Sequence, residues 1–123
     1  MGCCYYNRVV EGGVRSRLAG RMYGAGSRNG DADACVPYNG NEEWIDGLEK
    51  AGTLTQQQAW QPWFTGDKKG GRAPAGYVTT YVGSDPSLDF SFVTIRLAGH
   101  MVPTFQPAAA LAMFERFVDG KPF

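Results

Sequence analysis

The sequence has little of several features that mark particular classes of protein. It contains only three cysteines, two of them adjacent at Cys3 and Cys4, which is too few to staple a small secreted domain with disulfides. No apolar run approaches the roughly 20 residues of a membrane-spanning helix, and residues 1–30 contain no apolar signal core. Twelve basic and twelve acidic residues cancel, so net charge favours neither nucleic acid nor a membrane surface as a partner. What remains is a globular composition, with 43% hydrophobic residues in a chain of single-domain length.

Glycine and arginine are concentrated at the start of the chain. Residues 1–30 hold seven glycines and five arginines against a single acid, Glu11. So few apolar side chains cannot offset the entropy lost on ordering a glycine-rich segment. The composition therefore predicts a flexible tail over residues 1–28 and a folded part over residues 29–123. The arginines are not interleaved with aromatics, so no nucleic-acid partner is predicted.

Beyond the tail, the hydrophobic pattern predicts helices and strands in alternation. The expected elements are a helix over 39–50, a long loop or loose hairpin over 53–75, strands over 76–82 and 90–97, and a helix from Pro107. The second strand is almost entirely apolar, which indicates a strand covered on both faces, as in a parallel sheet. Residues 21–28 are poor strand sequence. The order of elements predicts an α/β fold. The apolar stripe expected on the last helix consists of Leu111, Phe114, Phe117 and Val118.

His100 is the only histidine, so any imidazole chemistry depends on it. It follows the apolar strand directly, and open α/β sheets place their sites at the carboxyl ends of strands. The alternative is a loop histidine with a purely structural hydrogen bond. Asp31 and Asp33 form a second candidate cluster, either as turn-forming side chains or as an acid that orients a histidine. A calcium loop starting at Asp31 fails, because Cys35 and Val36 occupy two of its defining positions, and neither a metal nor a cofactor is predicted.

Several short motifs occur in a characteristic order: Asn29-Gly30-Asp31-Ala32-Asp33, Gly40-Asn41-Glu42-Glu43-Trp44, Ala98-Gly99-His100-Met101-Val102-Pro103 and Met113-Phe114-Glu115-Arg116-Phe117. Together they resemble the C-terminal end of the serine carboxypeptidases, the family that includes cathepsin A. The resemblance covers residues 29–123. It implies that this chain is the C-terminal fragment of an α/β-hydrolase fold, with a few strands and flanking helices.

The resemblance also implies roles for individual residues. Asp33 matches the aspartate of the family's Ser–Asp–His triad, His100 matches its general base, and Met101 matches a methionine that lines the pocket of the leaving residue. Asp31 matches a motif position without a proton-transfer role and is expected to shape the turn. The implied substrate is a peptide with a free C-terminus, and the implied location is lysosomal, vacuolar or secreted. Members of the family are often dimeric.

The family's nucleophile is missing from these 123 residues. It lies in a Gly-x-Ser-x-Gly turn, whereas the serine of Gly26-Ser27-Arg28-Asn29-Gly30 is not centred between its glycines. We therefore expect the chain to be inactive alone and an upstream segment or separate chain to carry the serine. Two alternatives stay open: a truncated product with no activity, or a small self-contained α/β binding domain.

Overall fold

The computed structural model describes residues 25–35, 37–66, 73–84 and 89–123, with residues 25–29 described by their backbone alone. These residues form four strands and three helices. In chain order the elements are β1 (Ala25–Gly30), α1 (Tyr38–Lys50), β2 (Leu54–Trp63), β3 (Gly76–Gly83), β4 (Asp89–Ile95), α2 (Val102–Phe105) and α3 (Pro107–Asp119).

The four strands form one mixed sheet in the order β1-β4-β3-β2. Strand β4 is parallel to β1 and antiparallel to β3, and β2 pairs antiparallel with β3 as a hairpin. The apolar strand predicted over 90–97 is thus a central strand, and β4 is buried on both faces as expected. Only its pairing with β1 is parallel. The predicted α/β fold class is confirmed.

Two apolar clusters lie on opposite faces of the sheet, because successive side chains of a strand point to opposite faces. Phe90 and Phe92 of β4 pack with Ile45 of α1 on one face. Val93 and Ile95 belong to the other cluster, which also includes Met113 of α3. The sheet therefore has α1 on one face and α3 on the other, an arrangement that buries both sides of β4.

Strand β2 corrects the prediction of a long loop or loose hairpin over residues 53–75. Leu54–Trp63 form a ten-residue strand whose middle is exposed and whose ends, Leu54 and Trp63, are buried. Glutamine-rich sequence containing Pro62 does not favour a strand. It forms one here because β2 is an edge strand that pairs along the length of β3, with two irregularities in register.

Residues 25–28 lie in strand β1, although residues 21–28 are poor strand sequence. Its backbone pairs with β4 from Ala25 opposite Phe90 to Gly30 opposite Ile95. Of the flexible tail predicted for residues 1–28, residues 1–24 lie outside the described residues. Strand β1 runs across the predicted domain boundary between residues 28 and 29, and that boundary stays a prediction.

Helix α3 begins at Pro107 as expected, but its buried face is not the predicted one. The large apolar side chains Leu111, Phe114, Phe117 and Val118 are all exposed, while Ala109, Ala110 and Met113 are buried. Ala109, Ala110 and Met113 belong to the buried cluster that includes Val93 and Ile95 of β4. None of the helices in the described part of the chain is both long and apolar enough to cross a membrane.

Candidate active site

The candidate site lies where the parallel strands β1 and β4 end at the same edge of the sheet. Two main-chain hydrogen bonds join the chain segments at these two strand ends. The Asp31 N–H donates to the Ile95 carbonyl at 3.1 Å, and the Ala32 N–H donates to the Ala98 carbonyl at 3.0 Å. Because the carboxyl ends of neighbouring parallel strands meet, side chains far apart in the sequence lie close together here.

Gly30, the last residue of β1, makes this junction possible. A Cβ atom built at this position would collide with the carbonyl oxygen of Ala98 and lie 2.6 Å from that of Gly99. Only a residue without a side chain allows so close an approach between two backbones. The glycine of the Gly30-Asp31-Ala32-Asp33 motif is thus explained by contact with the loop that precedes His100.

Asp33 and His100 face each other across this junction. Their contact joins Oδ2 of Asp33 to Nδ1 of His100 at 3.0 Å, between residues 67 positions apart in the sequence. The Asp33 side chain is 5% exposed, whereas the His100 side chain is 60% exposed. The pair therefore has a buried acid and an imidazole that is accessible from solvent.

Both carboxylate oxygens of Asp33 have a defined partner. The main-chain N–H of Cys35 donates to Oδ1 at 2.8 Å, which fixes the carboxylate two residues before it in the same turn. An ionised carboxylate only accepts hydrogen bonds, so a neutral His100 can pair with an ionised Asp33 only in its Nδ1–H tautomer. A neutral imidazole protonated at Nδ1 carries its lone pair on Nε2, which is the form a general base needs.

Asp31 does not contact His100 but binds the loop that carries it. Its Oδ1 accepts a hydrogen bond of 2.6 Å from the main-chain N–H of Leu97. Leu97 has a φ of 59°, in the left-handed region. Leu97 was not identified from the sequence, since nothing in the residue type indicates such a conformation. The expectation that Asp31 shapes its own turn stays a prediction, and the contact observed here is with the turn after β4.

Met101, the third predicted site residue, follows His100 directly and precedes the short helix α2. It is 59% exposed, so its side chain is accessible from solvent. Among the described residues, no group of three or more His, Cys, Asp or Glu side chains could hold a metal ion.

Comparison with known proteins gives one family. The serine carboxypeptidase family model matches residues 22–120. The chain is 36% identical over 116 residues to serine carboxypeptidase-like 33 of Arabidopsis thaliana, covering 94% of this chain and 20% of the relative. It is 37% identical over 95 residues to carboxypeptidase Y of Schizosaccharomyces pombe, covering 76% of this chain and 8% of the relative.

A further relative, serine carboxypeptidase-like 7 of Arabidopsis thaliana, is 31% identical over 125 residues, covering 97% of this chain and 25% of the relative. The chain thus spans a quarter or less of the length of these relatives. The matches include residues before Asn29, where the motifs of the sequence analysis begin.

Proposed function

This chain belongs to the serine carboxypeptidase family, and on that premise we propose that it supplies the acid and the histidine of a serine-type carboxypeptidase site. The observation that carries the proposal is the contact between buried Asp33 and accessible His100 at 3.0 Å. The pair lies at the carboxyl ends of parallel strands, where α/β sheets hold their sites. Asp33 precedes His100 in the chain, in the order found in α/β-hydrolases.

In the proposed mechanism, Nε2 of His100 accepts the proton of a serine hydroxyl as the serine oxygen attacks the carbonyl carbon of the last peptide bond. As the C–N bond breaks, the imidazolium returns that proton to the nitrogen of the departing amino acid. Water then attacks the acyl-enzyme, and the proton that it loses reaches the serine oxygen through the same nitrogen. Asp33 keeps the imidazole in the Nδ1–H form and stabilises its charged form.

These 123 residues contain no Gly-x-Ser-x-Gly motif that could carry the nucleophilic serine. We therefore propose that another segment carries it and that the isolated chain hydrolyses no peptide. The exposed side chains of Leu111, Phe114 and Val118 support this, because a self-contained domain rarely leaves so much apolar surface on one helix. Measurable turnover by the pure 123-residue chain would contradict this part of the proposal.

Met101 is proposed to contact the leaving residue of the substrate, since it is exposed and adjacent to His100. The proposed substrate class is a peptide with a free C-terminal carboxylate. The proposed location is a lysosomal, vacuolar or secreted compartment. No observation on the described residues favours a second function over this one.

The experiment uses the natural protein, captured from its source with an antibody against the α3 sequence, so that any segment carrying the serine is retained. The substrates are an N-blocked peptide with a free C-terminus and the same peptide amidated at its C-terminus. We expect release of the last amino acid from the first substrate alone, and covalent labelling of the protein by a fluorophosphonate.

Variants test the role of His100 in that protein. His100→Ala should abolish both hydrolysis and labelling, because the serine loses its base. Gln57→Ala, at an exposed position of β2, is the matched control and should leave both unchanged. Labelling that persists in the His100→Ala protein would rule out His100 as the base.

A further inference from the structure

The turn that follows β4 has a conformation that its sequence does not favour. Residues 95–98 form a turn closed by the Ala98 N–H, which donates to the Ile95 carbonyl at 3.4 Å. Leu97 occupies the third position of this turn with a φ of 59°. Glycine or asparagine is preferred where a turn needs positive φ, because a side chain collides with the neighbouring carbonyl there.

Packing of the leucine side chain does not account for this conformation. Leu97 is 63% exposed, so few neighbours hold its side chain in place. Its main-chain N–H, in contrast, has a short bond of 2.6 Å to Oδ1 of Asp31. A hydrogen bond to a carboxylate is stronger than one between neutral groups. The N–H of the third turn residue takes no part in the hydrogen bond that closes the turn, so its acceptor must come from elsewhere.

Residues 31–33 therefore contact both ends of the loop formed by residues 97–100. Asp31 binds its beginning at Leu97, and Asp33 binds its end at His100. Between them, the Ala32 N–H holds the Ala98 carbonyl at 3.0 Å. The direction in which the backbone leaves Leu97 determines where the imidazole lies three residues later.

We propose that Asp31 is a positioning residue for His100: by binding the Leu97 N–H, its carboxylate holds the left-handed turn that brings the imidazole to Asp33. The inference rests on the proposed function for its catalytic consequence, because only a working base needs that alignment. The geometric part concerns the pair alone and can be tested without any substrate.

The chain has a single histidine, so the ¹⁵N NMR signals of the imidazole report on His100 without assignment ambiguity. In the unaltered chain we expect the neutral ring to be mainly the Nδ1–H tautomer. In Asp31→Ala, the fraction of that tautomer should fall by about twofold or more, because Nδ1 no longer lies against the acid. In Asp31→Asn, which keeps an acceptor oxygen at the same place, most of it should be retained.

A second substitution separates positioning from a general loss of structure. Leu97→Gly alone should leave the tautomer unchanged, since glycine adopts positive φ without steric cost. In the double variant, Leu97→Gly should restore the Nδ1–H form that Asp31→Ala loses. A general loosening of the fold would not be rescued in this way, and it would also move the backbone amide signals of Val93 and Thr94 at the centre of the sheet.

Each outcome has a defined meaning. An unchanged tautomer in Asp31→Ala, or no rescue by Leu97→Gly, would overturn the role of Asp31. Absence of the Nδ1–H form in the unaltered chain would overturn the pair itself, and with it both proposals. If the tautomers behave as expected but the natural protein hydrolyses no peptide, the proposed function fails while the positioning role of Asp31 stands.

Activity of the natural protein supplies the last readout. Because Asp31 acts on the alignment of the base and not on substrate binding, Asp31→Ala should lower kcat by roughly 10²-fold with little change in KM. A rise in KM with kcat unchanged would place Asp31 in substrate binding and contradict the inference.

Discussion

Gly30 lies against the carbonyl oxygen of Ala98 so closely that a Cβ atom at position 30 would collide with it. Gly30→Ala must therefore push β1 away from the loop that carries His100. We expect a loss of about 1–3 kcal/mol in the free energy of unfolding, the usual cost of overpacking. Urea unfolding of the 123-residue chain measures this loss of stability. In a separate ¹⁵N NMR measurement, the same variant should also lose the Nδ1–H signal of His100.

The matched control is Gly47→Ala, on α1. A Cβ atom there would have no neighbour within 4 Å. The substitution should stabilise the chain by about 0.5–1 kcal/mol, since glycine is unfavourable inside a helix. Equal effects of the two substitutions would show that the close contact of Gly30 with Ala98 is not what the structure requires at this position.

The contact between Asp33 and His100 predicts a specific effect of removing the charge of the acid. Asp33→Asn keeps the size of the side chain but replaces an acceptor oxygen with an amide that can donate, which favours the tautomer protonated at Nε2. We expect kcat of the natural protein to fall by roughly 10⁴-fold, the order found when a triad aspartate is so replaced. KM should change little, and a comparable rise in KM would contradict the assignment.

Met101 is predicted to affect which amino acid is released. Met101 follows His100 in the chain and is exposed, and in the proposed mechanism His100 gives the departing residue its proton. Met101→Ala should lower kcat/KM roughly tenfold more for a peptide that ends in leucine than for one that ends in alanine, the worth of one or two buried methylene groups. The comparison of peptides ending in leucine and in alanine checks this. Equal losses for both would show that Met101 does not contact the leaving residue.

Sequence reasoning succeeded where local pattern and motif carried the information. Strands β3 and β4 were predicted because β-branched and aromatic residues fill them, and α1 because its apolar residues recur at helical spacing. The proximity of Asp33 and His100 follows from motifs at the ends of two strands that prove to be parallel neighbours. Their catalytic roles stay predictions until the natural protein is assayed.

Neither edge strand is predicted from the sequence, and the reason is the same for both. Strand β2 is rich in exposed glutamine, and β1 consists mainly of small and polar residues. Neither has a preference for extended structure in its own side chains. Each forms because a neighbouring strand offers unpaired main-chain groups, and such long-range pairing leaves no local pattern in the sequence.

The sequence predicts the wrong buried face for α3, and the stability of two variants can test which face is buried. The predicted stripe consists of the largest apolar residues, although the helix is apolar on most sides and alanine can be buried as well. Met113 is 8% exposed and Phe114 is 56% exposed. Met113→Ala should therefore lower the free energy of unfolding of the 123-residue chain by about 2–5 kcal/mol. Phe114→Ala should change it by no more than about 0.5 kcal/mol, as at other surface positions. A larger loss of stability in Phe114→Ala than in Met113→Ala would show that the face predicted from the sequence is the buried one.

A pH dependence of stability is expected at Glu42 of α1. Burial raises the pKa of its carboxyl above the usual 4.5, and the nearby charge of Asp46 raises that pKa further. The folded chain therefore binds this proton more tightly than the unfolded chain does. Stability is lost as the pH rises from about 4.5 through the raised pKa of Glu42, and not as it falls.

Glu42→Gln removes this loss, because the amide does not ionise. The variant should unfold at a higher urea concentration than the unaltered chain at neutral pH, and the difference should vanish below the usual pKa of 4.5. Asp46→Asn is the informative control. It removes only the smaller of the two causes, so it should reduce the pH dependence contributed by Glu42 without abolishing it. A stability difference between the Glu42→Gln variant and the unaltered chain that is the same from acid to neutral pH would mean that Glu42 titrates alike in the folded and unfolded chain.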